Sequence, residues 1–194
     1  MRARVTLIWA ALAAALGVPI AAAAASPQLE WRDAVYILAG FAGIVALGLV
    51  LVQPLLIGGD LPGLSAYRGR RAHLWIGGLL VGAVVVHVAG LWITSPPDMI
   101  DALVFASPTP FSPFGVIAMW AIFAVAVLAA FRRRLGPRTW RIVHMSLAVV
   151  IVAGSMVHAM LVEGTMETVS KVALCVLVLA AAIKVMVDRR VWRK

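Results

Sequence analysis

The chain has 194 residues, 63% of them hydrophobic, with 17 Lys and Arg against 8 Asp and Glu and a formal charge of +9. Its mean hydropathy is +1.02, whereas soluble domains hold about 45–50% apolar residues, so the composition excludes a soluble globular fold. The basic residues fall in short clusters between apolar runs rather than along one face, which points to a membrane and not to nucleic acid as the partner.

A helix crossing about 30 Å of hydrocarbon takes about 20 apolar residues at 1.5 Å each. Six runs approach this length: 5–25, 34–57, 73–94, 115–131, 142–162 and 168–187. The fold class predicted is therefore all-α, an integral membrane bundle of six transmembrane helices. Residues 1–25 have a second reading. Their basic start and the run Ala23-Ala24-Ala25-Ser26 also describe a secretory signal, and cleavage would leave five spans. An apolar stretch of about 20 residues, against about 7–15 in a signal core, favours an uncleaved helix. Pro19 is tolerated in a membrane helix.

In the later runs, Lys184 stands near the end of the sixth, where it can snorkel to the interface. The single cysteine, Cys175, also lies in that run; it reads as a small buried hydrophobe, with no disulfide or thiolate metal site available. The connection 95–114 is long and holds five prolines. It reads either as a cover over a site, with Asp98 and Asp101 offering oxygen ligands to ferric iron, or as a folded-back connector whose acids cap a short interfacial helix.

Orientation follows from the positive loops. Arg2 and Arg4, then Arg68, Arg70 and Arg71, then Arg132, Arg133, Arg134, Arg138 and Arg141, and finally Arg189, Arg190, Arg193 and Lys194 all fall on one side of a six-span path. The alternate loops hold Arg32 and Lys171 against Glu30, Asp33, Asp98, Asp101, Glu163 and Glu167. Both termini are predicted cytoplasmic, in a multi-pass protein of a bacterial-type inner membrane, with 188–194 as a short cytoplasmic tail.

The chain's four histidines all fall in predicted spans: His73 and His87 in the third, His144 and His158 in the fifth. Each pair is 14 residues apart, which at about 100° per residue returns to within about 40° of the same face after a rise of about 21 Å. The third and fifth spans run in one direction, so His73 is level with His144 near the cytoplasm and His87 with His158 near the outside. Two imidazoles facing each other at one depth suit a six-coordinate haem iron. Arg70, Arg71, Arg138 and Arg141 lie where they can pair with the inner propionates. Gly77, Ala83, Ala148 and Gly154, four residues inward from the histidines, are small enough to admit a macrocycle. No C-x-x-C-H occurs, so covalent attachment is not expected. Met145, Met156 and Met160 read as packing, and Trp75, Trp92 and Trp140 as an interfacial belt.

The stretch Arg70-Arg71-Ala72-His73-Leu74-Trp75-Ile76-Gly77 with Val86-His87-Val88 resembles the first histidine helix of the ferric reductase-like transmembrane domain. Trp140-Arg141-Ile142-Val143-His144 with Val157-His158-Ala159 resembles its second. That superfamily includes ferric reductases, NADPH oxidases and the haem subunit of the methionine sulfoxide reductase system. Over 34–187 the resemblance implies a haem-binding transmembrane domain with two b-type haems, passing electrons from a cytoplasmic source to an acceptor outside. Full-length reductases carry a flavin and nicotinamide domain after the last helix. This sequence ends seven residues after Val187 and has no G-x-G-x-x-G following a strand, so the expected donor is a flavoprotein reductase, a free flavin or a quinol, and the acceptor periplasmic. The expected role is the electron-transfer component of an oxidoreductase. The alternatives are a metal-ion transport protein using the same four histidines, and a membrane scaffold without cofactor.

Overall fold

A computed structural model describes residues 2–188. Six helices in it are long and apolar enough to cross a membrane: α1 (Arg2–Ala24), α2 (Ala34–Gly58), α3 (Ala66–Thr94), α5 (Ser112–Ala130), α6 (Pro137–Leu161) and α7 (Thr168–Asp188). A short helix, α4 (Pro96–Leu103), lies between α3 and α5. The described residues contain no strand, and the protein is an all-helical, multi-pass membrane protein. Arg189, Arg190, Arg193 and Lys194, counted above among the cytoplasmic bases, lie outside the described residues.

Helices α2 to α7 begin where a side chain or a proline can deal with their unpaired N–H groups. Asp33 accepts from the Val35 N–H (2.7 Å) at the start of α2, and Ser65 from Arg68 (3.4 Å) at the start of α3. Pro96 and Pro137 open α4 and α6. Glu167 accepts from Val169 (2.6 Å) and Ser170 (2.7 Å) ahead of α7, and these two donors hold its carboxyl below the usual carboxylate range. Helix α2 stops at Gly59, whose φ of +79° puts it in the left-handed region glycine tolerates.

The helices pair as two antiparallel hairpins, α2 with α3 and α5 with α6, and α7 closes the bundle against α2, α1 and α6. Without a hydrophobic driving force inside lipid, such pairs rely on small residues that let backbones approach. A β-carbon on Gly69 would lie 2.6 Å from the Leu56 carbonyl oxygen, one on Gly90 2.7 Å from the Ala39 β-carbon, and one on Gly154 3.0 Å from the Phe114 carbonyl oxygen. The core is formed by Leu47, Val50 and Leu51 of α2, Leu80 and Val84 of α3, Val116, Met119 and Ile122 of α5, Ile151 of α6, and Leu174, Cys175 and Val178 of α7. Lys184 does not snorkel alone: its ammonium is 2.7 Å from Asp60, just beyond α2, and 2.7 Å from Asp188.

Candidate functional site

Helices α3 and α6, which carry the histidines, share little direct backbone contact among the described residues, in contrast to α2 with α3 and α5 with α6. What faces across the gap is imidazole. His73 and His144 have ring centroids 6.2 Å apart with planes at 66°; His87 and His158 have centroids 6.4 Å apart with planes at 81°. A residue early in α3 thus meets one early in α6, and a late one meets a late one, so the two helices are parallel.

The separations are informative. A metal–imidazole nitrogen bond of about 2.0–2.1 Å on each side, with about 1.1 Å from nitrogen to ring centre, places two centroids about 6.2–6.4 Å apart across one metal ion. Both pairs meet that value. The family of six-coordinate irons in a macrocycle needs only these two protein ligands. Among the described residues no group of three or more His, Cys, Asp or Glu side chains gathers to hold a bare ion, and two donors are fewer than tight tetrahedral binding requires.

The hydrogen bonds behind the rings fix which nitrogen faces the gap. A carbonyl can only accept, so a ring nitrogen bonded to one carries the proton and leaves the other nitrogen with its lone pair. His87 Nδ1 donates to the Ala39 carbonyl oxygen (2.8 Å) and His158 Nδ1 to that of Phe111 (3.0 Å). In both cases a glycine stands one helical turn further on. A β-carbon at Gly43 would lie 3.0 Å from His87 Nδ1, and one at Gly115 2.6 Å from His158 Nδ1, so hydrogen there is what admits each ring against the backbone. His73 Nδ1 reaches the Gln53 carbonyl oxygen at a longer 3.4 Å. His144 Nδ1 is buried and has no partner; instead the ring stacks on Trp140, centroids 5.0 Å apart and planes at 22°. The side-chain amide of Gln53, near Gly77, is likewise buried without a partner.

At the His87–His158 end a cavity of 520 Å³ opens beside the two rings, within the range of about 300–1,000 Å³ usual for cofactor pockets. Its walls are apolar residues of α2, α3 and α5, including Leu47, Val84 and Met119; its rim comes from the α1–α2 connection, α4, the segment 107–112 and the α6–α7 connection. The 95–114 segment lines the cavity and contains a short helix that its acids do not cap: Asp98, in the first turn of α4, accepts from Ser95 Oγ (2.5 Å) and from no backbone N–H among the described residues, while the hydroxyls of Ser107, Thr109 and Ser112 bond to one another. Asp98 and Asp101 line the cavity but gather no third ligating side chain.

Arg70, Arg71, Arg138 and Arg141 stand in the first two turns of α3 and α6, at the His73–His144 end, and all four are exposed. Of the small residues expected against a macrocycle, Gly154 is not available to one: it is buried on Phe114 and Ala118 of α5. Gly43, Gly115 and Gln53 were not singled out by the sequence, because nothing in their local pattern separates them from other glycines and polar residues of the spans. Gly43 and Gly115 each stand four residues after the carbonyl a histidine bonds, a relation that needs the packing of α2 and α5 to be known.

Residues 39–155, more than half of the chain, match the family model described as ferric reductase like transmembrane component. No curated protein and no solved structure gives a match.

Proposed function

Since the chain belongs to the ferric reductase-like transmembrane component family, a family of membrane electron transfer, we propose that it is a two-haem b-type cytochrome. In this reading His73 with His144 and His87 with His158 are the axial ligand pairs, and electrons pass from a cytoplasmic flavoprotein, flavin or quinol donor to an acceptor outside. The observation that carries it is the centroid spacing of 6.2 and 6.4 Å in two pairs, the span of a metal held between two imidazole nitrogens.

When bound, each haem supplies a one-electron Fe(III)/Fe(II) couple. The rest is the work of the chain. The 14-residue repeat sets the two levels about 21 Å apart along the helices, which places one level towards each side of a hydrocarbon core of about 30 Å. Two imidazoles per level would leave a bound haem iron no readily opened position, which suits electron transfer over oxygen binding. The Nδ1–H bonds of His87 and His158 to carbonyls orient the rings and keep the ligating nitrogens deprotonated. Arg70, Arg71, Arg138 and Arg141 serve the propionates at the cytoplasmic level, and the basic loops keep both termini on that side.

The test is the haem-to-protein ratio of purified protein with a reduced-minus-oxidised spectrum. Two non-covalent haems per chain with a Soret band that shifts on dithionite reduction are expected; a folded, colourless protein would exclude the reading.

A further inference from the structure

At the His87–His158 end the described residues hold two bases, Arg32 before α2 and Lys171 in the first turn of α7, and both line the cavity that the two histidines share. Lys171 is 7% exposed. Its Nζ donates to the Val162 carbonyl oxygen (2.9 Å), which closes the C-terminus of α6 four residues after His158. That bond uses one of three ammonium donors. The Arg32 guanidinium lies over the Tyr36 ring, 4.9 Å from its centre, a contact that uses its face and leaves its fork of N–H groups for something else.

Neither base is within ion-pairing distance of a carboxylate among the described residues, although Asp98, Asp101 and Glu163 line the same cavity. Glu167 acts on Lys171 electrostatically, but its carboxylate is taken up by the Val169 and Ser170 N–H groups. A buried ammonium beside an apolar cavity is unfavourable until an anion joins it.

We propose that Lys171 and Arg32 form a carboxylate-binding site on the rim of this cavity. The inference rests on the two-haem reading. Two sources present the same chemistry there: the propionates of the haem between His87 and His158, and a carboxylate-bearing acceptor from solution.

The experiment compares the full chain with Lys171→Met, Lys171→Arg and Arg32→Gln. It measures haem content and midpoint potential at each level, then reoxidation of the reduced protein by ferric citrate, which carries carboxylates, and by hexaammineruthenium(III), which carries none. The expected result is that Lys171→Met loses haem from the His87–His158 level, or lowers that level's potential, because removing a positive charge favours the ferric state. Lys171→Arg should restore both, and the other level should stay intact as the folding control. Unchanged haem and potential, with reoxidation by ferric citrate slowed several-fold and by the ruthenium complex unaffected, would assign the site to the acceptor. Two haems in the parent chain with every readout unmoved in Lys171→Met and Arg32→Gln would overturn the inference alone, as would equal losses at both levels, the result of a lysine that only caps α6. A parent chain without two haems removes the two-haem reading itself. Should Lys171→Met fail to fold, Arg32→Gln against Lys171→Arg carries the same comparison.

Discussion

The two histidine pairs share a spacing and differ in what stands behind the rings. At the His87–His158 level both Nδ1 atoms donate to helix carbonyls at 2.8 and 3.0 Å, each ring rests on a glycine, and α4 with the 107–112 segment roofs a cavity. At the His73–His144 level one bond is stretched to 3.4 Å, the other is missing, and a tryptophan face takes its place beside exposed arginines. A ring gripped by a carbonyl is fixed in tautomer and angle; a ring resting on an aromatic face is fixed only in plane. One repeat in sequence has thus been finished in two ways, which divides the levels into a rigid one and a more adaptable one.

The bluntest way to test this division is to remove ligands singly. On the two-haem reading, His87→Ala or His158→Ala should take the haem from that level and leave about half of the reducible absorbance, since each iron would draw one imidazole from each of two helices. His73→Ala or His144→Ala should take the other half and with it donor-driven reduction of what remains. Full haem content after any one of the four would remove that residue from the ligand set. Equal collapse in all four would mean that folding needs both cofactors, since a ligand that binds only the folded state stabilises it; circular dichroism of haem-free protein distinguishes the cases.

A narrower cut leaves the ligands in place and disturbs their seats. Gly115→Ala would put a β-carbon 2.6 Å from His158 Nδ1, a distance at which the ring must move; Gly43→Ala would put one 3.0 Å from His87 Nδ1, a tight contact that asks for less. Haem retention measured level by level should fall steeply in the first, moderately in the second, and only at the His87–His158 end. Gly77→Ala, whose β-carbon would be 3.5 Å from the Gln53 amide, should retain both haems. Equal loss in all three would deny the glycines any role as seats.

Smaller again is the expected offset in potential. A carbonyl bonded to Nδ1–H makes the ligating imidazole a stronger donor, and a stronger donor favours ferric over ferrous iron. The His87–His158 level, with two good bonds against one long one, should therefore titrate at the lower potential, the Lys171 charge being offset by the carboxylate it binds. Anaerobic redox titration of His73→Ala, which keeps one level, against His87→Ala, which keeps the other, gives the order directly. The reverse order would show that second-level hydrogen bonding does not set it.

Sequence made the scaffold and the histidines legible for a physical reason: hydropathy and a 14-residue repeat are properties of side chains in fixed order along one helix. It placed α2 within a residue of its observed bounds but started the third span at 73, whereas α3 begins at Ala66, because Arg68, Arg70 and Arg71 are polar yet continue the helix capped by Ser65. The seats were not legible. Ala39 and Phe111 act through carbonyls, which every residue has, and Gly43 and Gly115 matter only because α2 and α5 bring them against rings carried by other helices. Gly154 is small enough by sequence to admit a macrocycle, while helix packing directs it against α5. Trp140 fits an interfacial belt by sequence, and its stacking on His144 depends on a rotamer no pattern encodes.

That stack supports the finest prediction. His144 is the histidine whose Nδ1 lacks a partner, so the Trp140 ring, 5.0 Å away and nearly parallel to it, is the contact that restrains its plane from behind. Aromatic pairs contribute about 0.5–1.5 kcal/mol beyond burial, roughly a 2- to 10-fold effect on an equilibrium constant. Trp140→Leu should weaken haem retention at the His73–His144 level by about that factor, Trp140→Phe by less, and neither should touch the level held by carbonyls. Haem transfer to apomyoglobin, followed separately for each level in the single-level variants, reads the factor as a rate. An unchanged rate in Trp140→Leu would mean that the His144 ring is held by its haem and helix alone. A matching increase at the His87–His158 level would instead place Trp140 in the general stability of α6, and the distinction between the two ends would lose its support from that side.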